Sequence, residues 1–191
     1  MPDKSDLPPL IPPHGGYREL QSYRMAEIIF DGTAAFCGRF IDRRSRTLDQ
    51  MVQAARSGKQ NIAEGCMASG TSKKTELKLI GVARASLEEL LLDFEDFLRL
   101  KGLPLWTKNH AEAQKIRKLA YEKNRSYSTY KAYIEKAQPE IAANTMICVI
   151  NQANYLLDRQ LKALEKDFLE EGGFTERLHR SRTEWRNNNK K

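Results

Sequence analysis

The stretch GKQNIAEG at residues 58–65, followed by KKTELKLIGVARASLEELLLDFEDF at residues 73–97, decides the fold of this chain. In its second half, apolar residues recur at alternating steps of three and four, the spacing with which a helix lays one apolar stripe on its neighbours in a bundle. The stripe consists of Leu77, Ile80, Leu87, Leu91, Phe94 and Leu98. This pattern predicts a long helix that packs lengthwise against others.

One position of the stripe is occupied by Arg84 instead of an apolar residue. A guanidinium group stays charged, so its burial requires a carboxylate partner. Glu64 and Glu88 are the candidates, and Asn61 is expected to satisfy a helix terminus or neighbouring backbone. We therefore predict a structural polar layer of Asn61, Glu64, Arg84 and Glu88. A hydrolase that uses Glu64 and Arg84 is the weaker alternative, because no nucleophile, metal cluster or second acid accompanies them.

The rest of the 191 residues predicts an all-α protein, because Gly and Pro are sparse after residue 16 and β-branched residues do not alternate. We expect an up-down four-helix bundle over residues 17–171, with a short extra helical segment at 107–136 before the last helix. The proline pairs of residues 1–16 predict a disordered or extended arm that is neither a secretion signal nor a transit peptide. Residues 172–191 form a basic suffix tail. The sequence has no run of 18 apolar residues, so we expect no membrane span.

Local signals mark where the helices begin and where they approach closely. Thr47, with Gln50 three residues later, is a plausible N-cap of the second helix, and Thr71 or Ser72 can cap the third. Gly32 lies inside a helical pattern, where it costs roughly 1 kcal/mol against Ala, and Gly58 is one of several small residues of the second helix that let backbones pack closely. These two glycines therefore predict that another helix comes close to each of them.

The residue types that carry chemistry are scattered. The three histidines lie in different segments, and neither a metal-ligand spacing nor a known catalytic motif is present. We expect no catalytic residue, no metal and no cofactor, and therefore a protein that is not an enzyme. The cysteines are interpreted as buried thiols in a reducing cytoplasm; they are Cys37, Cys66 and Cys148.

The chain carries 32 Lys and Arg against 25 Asp and Glu, a net charge of +7 that favours anionic partners, with nucleic acid first. Each basic group also has a simpler interpretation, as a solvated surface or as a partner of a helix dipole. Lys73 and Lys74 are the exception, because cations in the first turn of a helix oppose its dipole. The predicted phosphate contacts are Arg43, Arg44, Arg46, Lys73, Lys74, Lys78, Arg177, Arg180, Arg182 and Arg186.

A second basic region runs from Lys108 to Lys131, with seven Lys and Arg against two Glu. Tyr121, Tyr127 and Tyr130 are interleaved with these cations. Tyrosines among cations can stack on exposed bases. The alternative is that the rings cover the bundle while the cations stay solvated, and both interpretations stay open at this point.

Several motifs resemble a known family. NIAEG at 61–65, ARASLEEL at 83–90 and the stretch from Ala143 to Arg182 are similar to a bacterial four-helix-bundle family, in the subgroup with a C-terminal suffix. That family includes proteins encoded in intervening sequences of large-subunit ribosomal RNA genes and the accessory variability protein of diversity-generating retroelements. The resemblance implies a cytoplasmic homo-oligomer, a pentameric ring, that binds RNA or RNA–DNA and docks onto a reverse transcriptase.

Two functions follow as hypotheses. The first is a non-enzymatic nucleic-acid-binding accessory protein. The second is a structural or adaptor oligomer that binds only protein, in which the basic patches are solvated faces or docking sites for an acidic partner.

Overall fold

The computed structural model describes residues 10–188, and every regular element in that range is helical, so the predicted all-α class is confirmed. Residues 1–9 of the predicted arm and 189–191 of the predicted tail lie outside the described residues. A 3₁₀ turn precedes the first helix, and a π-helical turn at Ala132–Lys136 follows the fifth. The helices are α1 (Gln21–Phe40), α2 (Arg46–Ala68), α3 (Lys73–Leu100), α4 (Ala111–Leu119), α5 (Tyr127–Lys131), α6 (Pro139–Glu171) and α7 (Phe174–Asn188).

The four longest helices pack around one core. Helix α2 packs against α3, α3 against α6, α6 against α1, and α1 against α2. Contacts between α3 and α6 show their relative direction: Arg84 meets Asp158, whereas Glu88, one turn further along α3, meets Asn154, one turn earlier on α6. These two helices therefore run antiparallel.

The apolar stripe of α3 faces the core as its spacing predicts, with Leu77 only partly buried. Ile80, Leu87 and Phe94 are fully buried. Arg84 is only half-buried, because the α3 residue that faces the core at this level is its neighbour Ala83. At one end of the core, the Phe36 ring of α1 meets the rings of Phe94 and Phe97 edge-on, with both centroid distances 4.9 Å.

Close approach of helices at Gly32 and Gly58 is confirmed. A Cβ placed on Gly32 would lie 2.6 Å from the sulfur of Met146 on α6. A Cβ on Gly58 would lie 2.6 Å from one methyl carbon of Leu87 and 2.8 Å from its Cγ. Real Cβ atoms do not come so near, so α2 packs against α3 at this distance only because residue 58 has no side chain.

The helix caps agree in part with the sequence. Ser72 caps α3, and its hydroxyl accepts a hydrogen bond from the Thr75 amide at 3.1 Å, as predicted. The assignment of Thr47 as the N-cap of α2 is wrong. The cap is Ser45, whose hydroxyl accepts from the Thr47 amide at 3.2 Å. The helix begins earlier than predicted because Ser45 has extended backbone dihedral angles and a side chain that can accept this bond.

The predicted helical insert at 107–136 holds α4, α5 and the π-helical turn. The loop before α4 is fixed by Asn144 of α6, a fully buried side chain. The amide nitrogen of Asn144 donates to the Pro104 carbonyl at 2.9 Å, and its oxygen accepts from the Trp106 amide at 2.8 Å. The Trp106 indole N–H donates to Glu140 at 2.9 Å. These bonds fix the loop that leads into α4, and α4 packs against α6.

Both ends of the described chain meet the turn between α2 and α3. A Cβ on Gly70 would lie 2.8 Å from the His14 ring and 3.1 Å from Ile11, so this part of the arm packs on the turn. The guanidinium of Arg177 on α7 donates to the Gly70 carbonyl at 3.5 Å. Within residues 10–188, no helix is long and apolar enough to cross a membrane.

Candidate nucleic-acid interface

The predicted phosphate-binding cations do not form one surface. Arg43, Arg44 and Arg46 are exposed at the connection between α1 and α2. Lys73 follows the other end of α2, a helix of 23 residues that spans roughly 35 Å at 1.5 Å per residue. The two groups therefore lie at opposite ends of the molecule.

Lys73 has a structural partner that explains its place at the start of α3. Its ammonium group donates to Glu76 at 3.2 Å, and the Glu76 side chain is only 8% exposed. Burial raises the pKa of the Glu76 carboxyl, and the bond from Lys73 opposes that shift. Glu76 was not among the predicted residues, although its position three residues after Lys73 was a signal. Lys74 and Lys78 are exposed, and neither forms an ion pair within the described residues.

The tail arginines lie on α7 and differ in their surroundings. Arg177 is half-buried beside Gly70, and its Nε is buried without a hydrogen bond in the described part of the chain. Arg180, Arg182 and Arg186 are exposed. Helix α7 therefore places Arg177 at the same end of the molecule as Lys74 and Lys78.

The polar layer around Arg84 exists, but its members differ from those predicted. Arg84 donates to Glu88 at 2.6 Å and to Asp158 of α6 at 3.1 Å. The carboxylate of Glu88 also accepts from the Asn154 amide at 3.1 Å. Glu64 is exposed and forms no ion pair among the described residues, so the prediction that it balances Arg84 is wrong.

Asn61 satisfies neighbouring backbone, one of the two roles expected of it. Its side-chain amide donates to the Ser57 carbonyl at 2.9 Å and to the Ser57 hydroxyl at 3.1 Å. The Ser57 hydroxyl in turn pairs with that of Ser86 on α3 at 2.9 Å. Asn61 therefore supports the contact between α2 and α3 and does not belong to the layer around Arg84.

A groove between α4 and α6 is lined by cations that lie far apart along the chain. We call it the α4–α6 groove; its volume is about 820 Å³. The start of α1 and the loop before α4 complete its walls. Among the lining residues that the structure describes, none carries a carboxylate. The cations that line it are Lys108, Arg117, Arg125 and Arg159.

These four cations keep their charge uncompensated. None of them forms an ion pair with a carboxylate within residues 10–188. Arg117 donates to the carbonyl of Lys108, and Arg125 donates to the side-chain oxygen of Gln21, both of which are neutral acceptors. Arg159 lies over the Tyr155 ring, with its guanidinium carbon 6.0 Å from the ring centroid. The groove thus concentrates positive charge, with two of its arginines held in place by hydrogen bonds.

Aromatic rings stand at the same groove. Tyr121 is 88% exposed and Tyr155 is 62% exposed, while Trp106 is half-buried and stacked on the His110 ring at a centroid distance of 4.8 Å. Of the other tyrosines in the basic region, Tyr130 is fully buried and the Tyr127 hydroxyl donates to Glu135 at 2.8 Å. Only Tyr121 of the three predicted tyrosines therefore presents its ring to solvent, whereas Tyr127 and Tyr130 pack against the bundle.

Cys148 lies in the groove wall and is the one thiol among the lining residues that the structure describes. Burial raises the pKa of this thiol to about 11, against a smaller opposing effect of the Arg117 charge. A thiol with that pKa is protonated at neutral pH and is a poor nucleophile. Cys148 is therefore a wall residue of the groove.

Three members of this site were not predicted from the sequence: Trp106, Tyr155 and Arg159. Tyr155 and Arg159 are one turn apart on the polar side of α6, a spacing that puts both on one face. That spacing was the available signal. The pairing of this face with α4 is a tertiary contact, and no local pattern announces it.

Comparison of the chain with protein-family models, with curated proteins and with solved structures found no match. The similarity of its motifs to the bacterial four-helix-bundle family therefore stays a hypothesis. The same holds for the absence of catalysis and for the predicted partners.

Proposed function

We propose that the protein is a nucleic-acid-binding accessory protein without enzymatic activity, and that the α4–α6 groove is its principal binding surface. The observation that carries the proposal is the set of unpaired cations Lys108, Arg117, Arg125 and Arg159 in a groove whose described lining contains no carboxylate. Such a groove attracts polyanions, because a concave wall of one charge sign concentrates the electrostatic field.

The arrangement also suits a strand better than a single phosphate. The cations come from the loop before α4, from α4 itself, from the loop after it and from α6, so they are distributed along the groove. Each phosphate that they neutralise releases a condensed counterion, which makes affinity fall linearly with the logarithm of salt concentration. The predicted contacts at Arg43, Arg44 and Arg46 and at Lys74 and Lys78 are proposed as secondary, because these cations are exposed and lie away from one another.

A salt series with labelled single-stranded RNA tests the proposal. The variant Lys108→Gln/Arg159→Gln removes two exposed charges from the groove, and Arg43→Gln/Arg44→Gln removes two exposed charges from the far connection. We expect the first variant to weaken binding and to reduce the salt slope by about 0.7 for each lost contact. The second variant is the charge-matched control and should change affinity much less. Circular dichroism should show equal helicity in both.

Two results would count against this assignment. Equal weakening in both variants would mean that net charge alone drives binding and that the groove has no special part. Absence of binding by the unchanged protein near 50 mM salt would favour the second hypothesis, a structural or adaptor oligomer that binds only protein partners.

The resemblance extends the proposal further. We include in it an up-down topology of the four long helices, assembly into a homopentamer, a cytoplasmic location and docking onto a reverse transcriptase. A closed ring would multiply the net charge of +7 by the number of subunits and steepen the dependence on salt. Light scattering coupled to gel filtration would give the mass of the assembly, and a mass of one chain would contradict this part.

A further inference from the structure

We infer that the α4–α6 groove takes unpaired nucleotides, with at least one base inserted against its apolar floor, and therefore prefers single strands to duplexes. This inference rests on the proposed function, because it specifies which form of nucleic acid the same groove accepts. Three features of the groove support it: its floor, its dimensions and its exposed rings.

Between its cations the lining of the groove is largely apolar, and we call this apolar part its floor. The side chains that form it include Met25, Ala113, Ala120, Ile147 and Leu156. A phosphate gains nothing from such a floor, since it is stabilised by charge and hydrogen bonds and loses hydration against apolar groups. The flat face of a base, by contrast, is stabilised by leaving water for apolar contact. The floor and walls together therefore match a nucleotide, which has an apolar face and an anionic backbone.

The dimensions favour one or two nucleotides over a duplex. The volume of about 820 Å³ lies within the range of cavities that enclose small organic ligands. In a duplex the base faces are stacked on one another, so only the phosphates and the base edges in the grooves of the duplex would contact the protein. A duplex would therefore contact the cations and leave the apolar floor uncovered.

The exposed rings supply the stacking partners. Tyr121 follows α4 on one side of the groove and Tyr155 belongs to α6 on the other. Both rings are exposed, and the guanidinium carbon of Arg159 lies over the Tyr155 ring at 6.0 Å from its centroid. Stacking of a base on an aromatic side chain changes affinity by roughly 5- to 150-fold per base. Because every base has a stackable face, we expect little discrimination between sequences.

The experiment compares three labelled ligands of equal length at one salt concentration: a single strand, the corresponding duplex and a single strand with abasic sites in place of bases. Full-length protein is titrated with each. We expect the single strand to bind at least about 5-fold more tightly than the abasic strand, which has the same phosphates and lacks the bases. The duplex should bind no better than the abasic strand.

Paired substitutions at the exposed rings make the test specific. Tyr121→Leu and Tyr155→Leu keep apolar bulk and remove the ring, whereas Tyr121→Phe and Tyr155→Phe keep the ring. If the replaced tyrosine stacks on a base, its Leu variant should bind the single strand roughly 5- to 150-fold more weakly than the unchanged protein does. The same variant should bind the abasic strand as tightly as the unchanged protein does. The Phe variants should retain binding. Both side chains are exposed, so the substitutions leave the core intact.

The outcomes separate this inference from the function on which it rests. Salt-dependent binding that is equal for single strand, duplex and abasic strand would overturn the inference and leave the proposed function standing. Retention of full single-strand affinity in both Leu variants would also overturn it. Failure of all three ligands to bind at low salt would refute the proposed function as well.

Discussion

Replacing Gly58 by Ala tests whether α2 and α3 pack as closely as the structure shows. In an isolated helix the change would be favourable, because Ala is about 1 kcal/mol better than Gly in a helix interior. Here the new Cβ would lie 2.6 Å and 2.8 Å from two carbons of Leu87, which is fully buried, so this side chain would have to shift within the core. Overpacking of this kind costs about 1–3 kcal/mol. We expect a net destabilisation of up to about 2 kcal/mol.

Gly81 provides the matched control. It lies inside α3, and no described atom lies within 4 Å of the place where its Cβ would be, beyond its own helix. Gly81→Ala should therefore stabilise the protein by about 0.5–1 kcal/mol. Urea unfolding followed by helical circular dichroism measures both variants, and the midpoints should differ in opposite directions from that of the unchanged protein. Each kcal/mol corresponds to about 2–4 °C in melting temperature for a chain of this size.

A double-mutant cycle identifies the cause. Leu87→Ala alone should cost about 2–5 kcal/mol through loss of burial. In that background Gly58→Ala has room for its Cβ, so its effect should change sign and become stabilising. A coupling energy of at least about 1 kcal/mol is expected. If Gly58→Ala stabilises the unchanged protein as much as Gly81→Ala does, the close approach of the two helices is refuted.

Further predictions concern the polar layer, a cap and a buried carboxyl. Arg84→Met should cost up to about 1 kcal/mol because it removes two ion pairs whose carboxylates are about half exposed, whereas Glu64→Gln should change stability by less than about 0.5 kcal/mol; a loss in urea unfolding as large for Glu64→Gln as for Arg84→Met would contradict this assignment. Ser45→Ala should cost about 1 kcal/mol, and Thr47→Ala should lack this loss of the cap, since only the Ser45 hydroxyl caps α2. Burial raises the pKa of the Glu76 carboxyl, so the folded state favours its protonated form. Protonated Glu76 therefore contributes to stability at low pH, and this contribution is lost as pH rises through the raised pKa. Glu76→Gln should therefore gain stability relative to the unchanged protein between acidic and neutral pH, and unfolding midpoints that stay parallel across that range would contradict the assignment.

Much of the fold was predictable because its signals are local. The apolar spacing of α3 identified the side chains that enter the core, since residues three and four apart share one face of a helix. Gly32 indicated close packing because a glycine inside a helix is costly without a reason in the contacts. Gly58 indicated it because small residues let helix backbones approach each other. The cap at Ser72 followed from residue type and position alone.

The partner of Arg84 shows where local reasoning failed. Glu88 was found because it lies one turn along the same helix, whereas Asp158 lies 74 residues away on α6. Glu64 was a chemically reasonable substitute, but α2 turns that side chain to solvent. The choice between two carboxylates depends on which helices are neighbours and on their rotation about their axes, and periodicity gives only the second of these.

The candidate site, too, was predictable only in its local features. The sequence shows a basic, aromatic segment between Lys108 and Lys131. It does not show which of these cations and tyrosines are exposed and which are buried. Only the packing of α4 on α6 brings Arg117 to the same groove as Arg159 and Tyr155, and only the tertiary structure buries Tyr130 while leaving Tyr121 in solvent.

The sequence by itself therefore determined the helical class, the apolar stripe of α3, the tight contacts at Gly32 and Gly58 and the excess of positive charge. Each of these depends on residues that are neighbours along one helix or on composition. The tertiary structure decided that the cations at the two ends of α2 stand apart, that Lys73 serves Glu76, and that four unpaired cations meet in one groove without a carboxylate in its described lining. The physical reason is that a local pattern fixes which face of a helix is apolar, whereas the surface charge field depends on which faces of distant helices come to lie side by side.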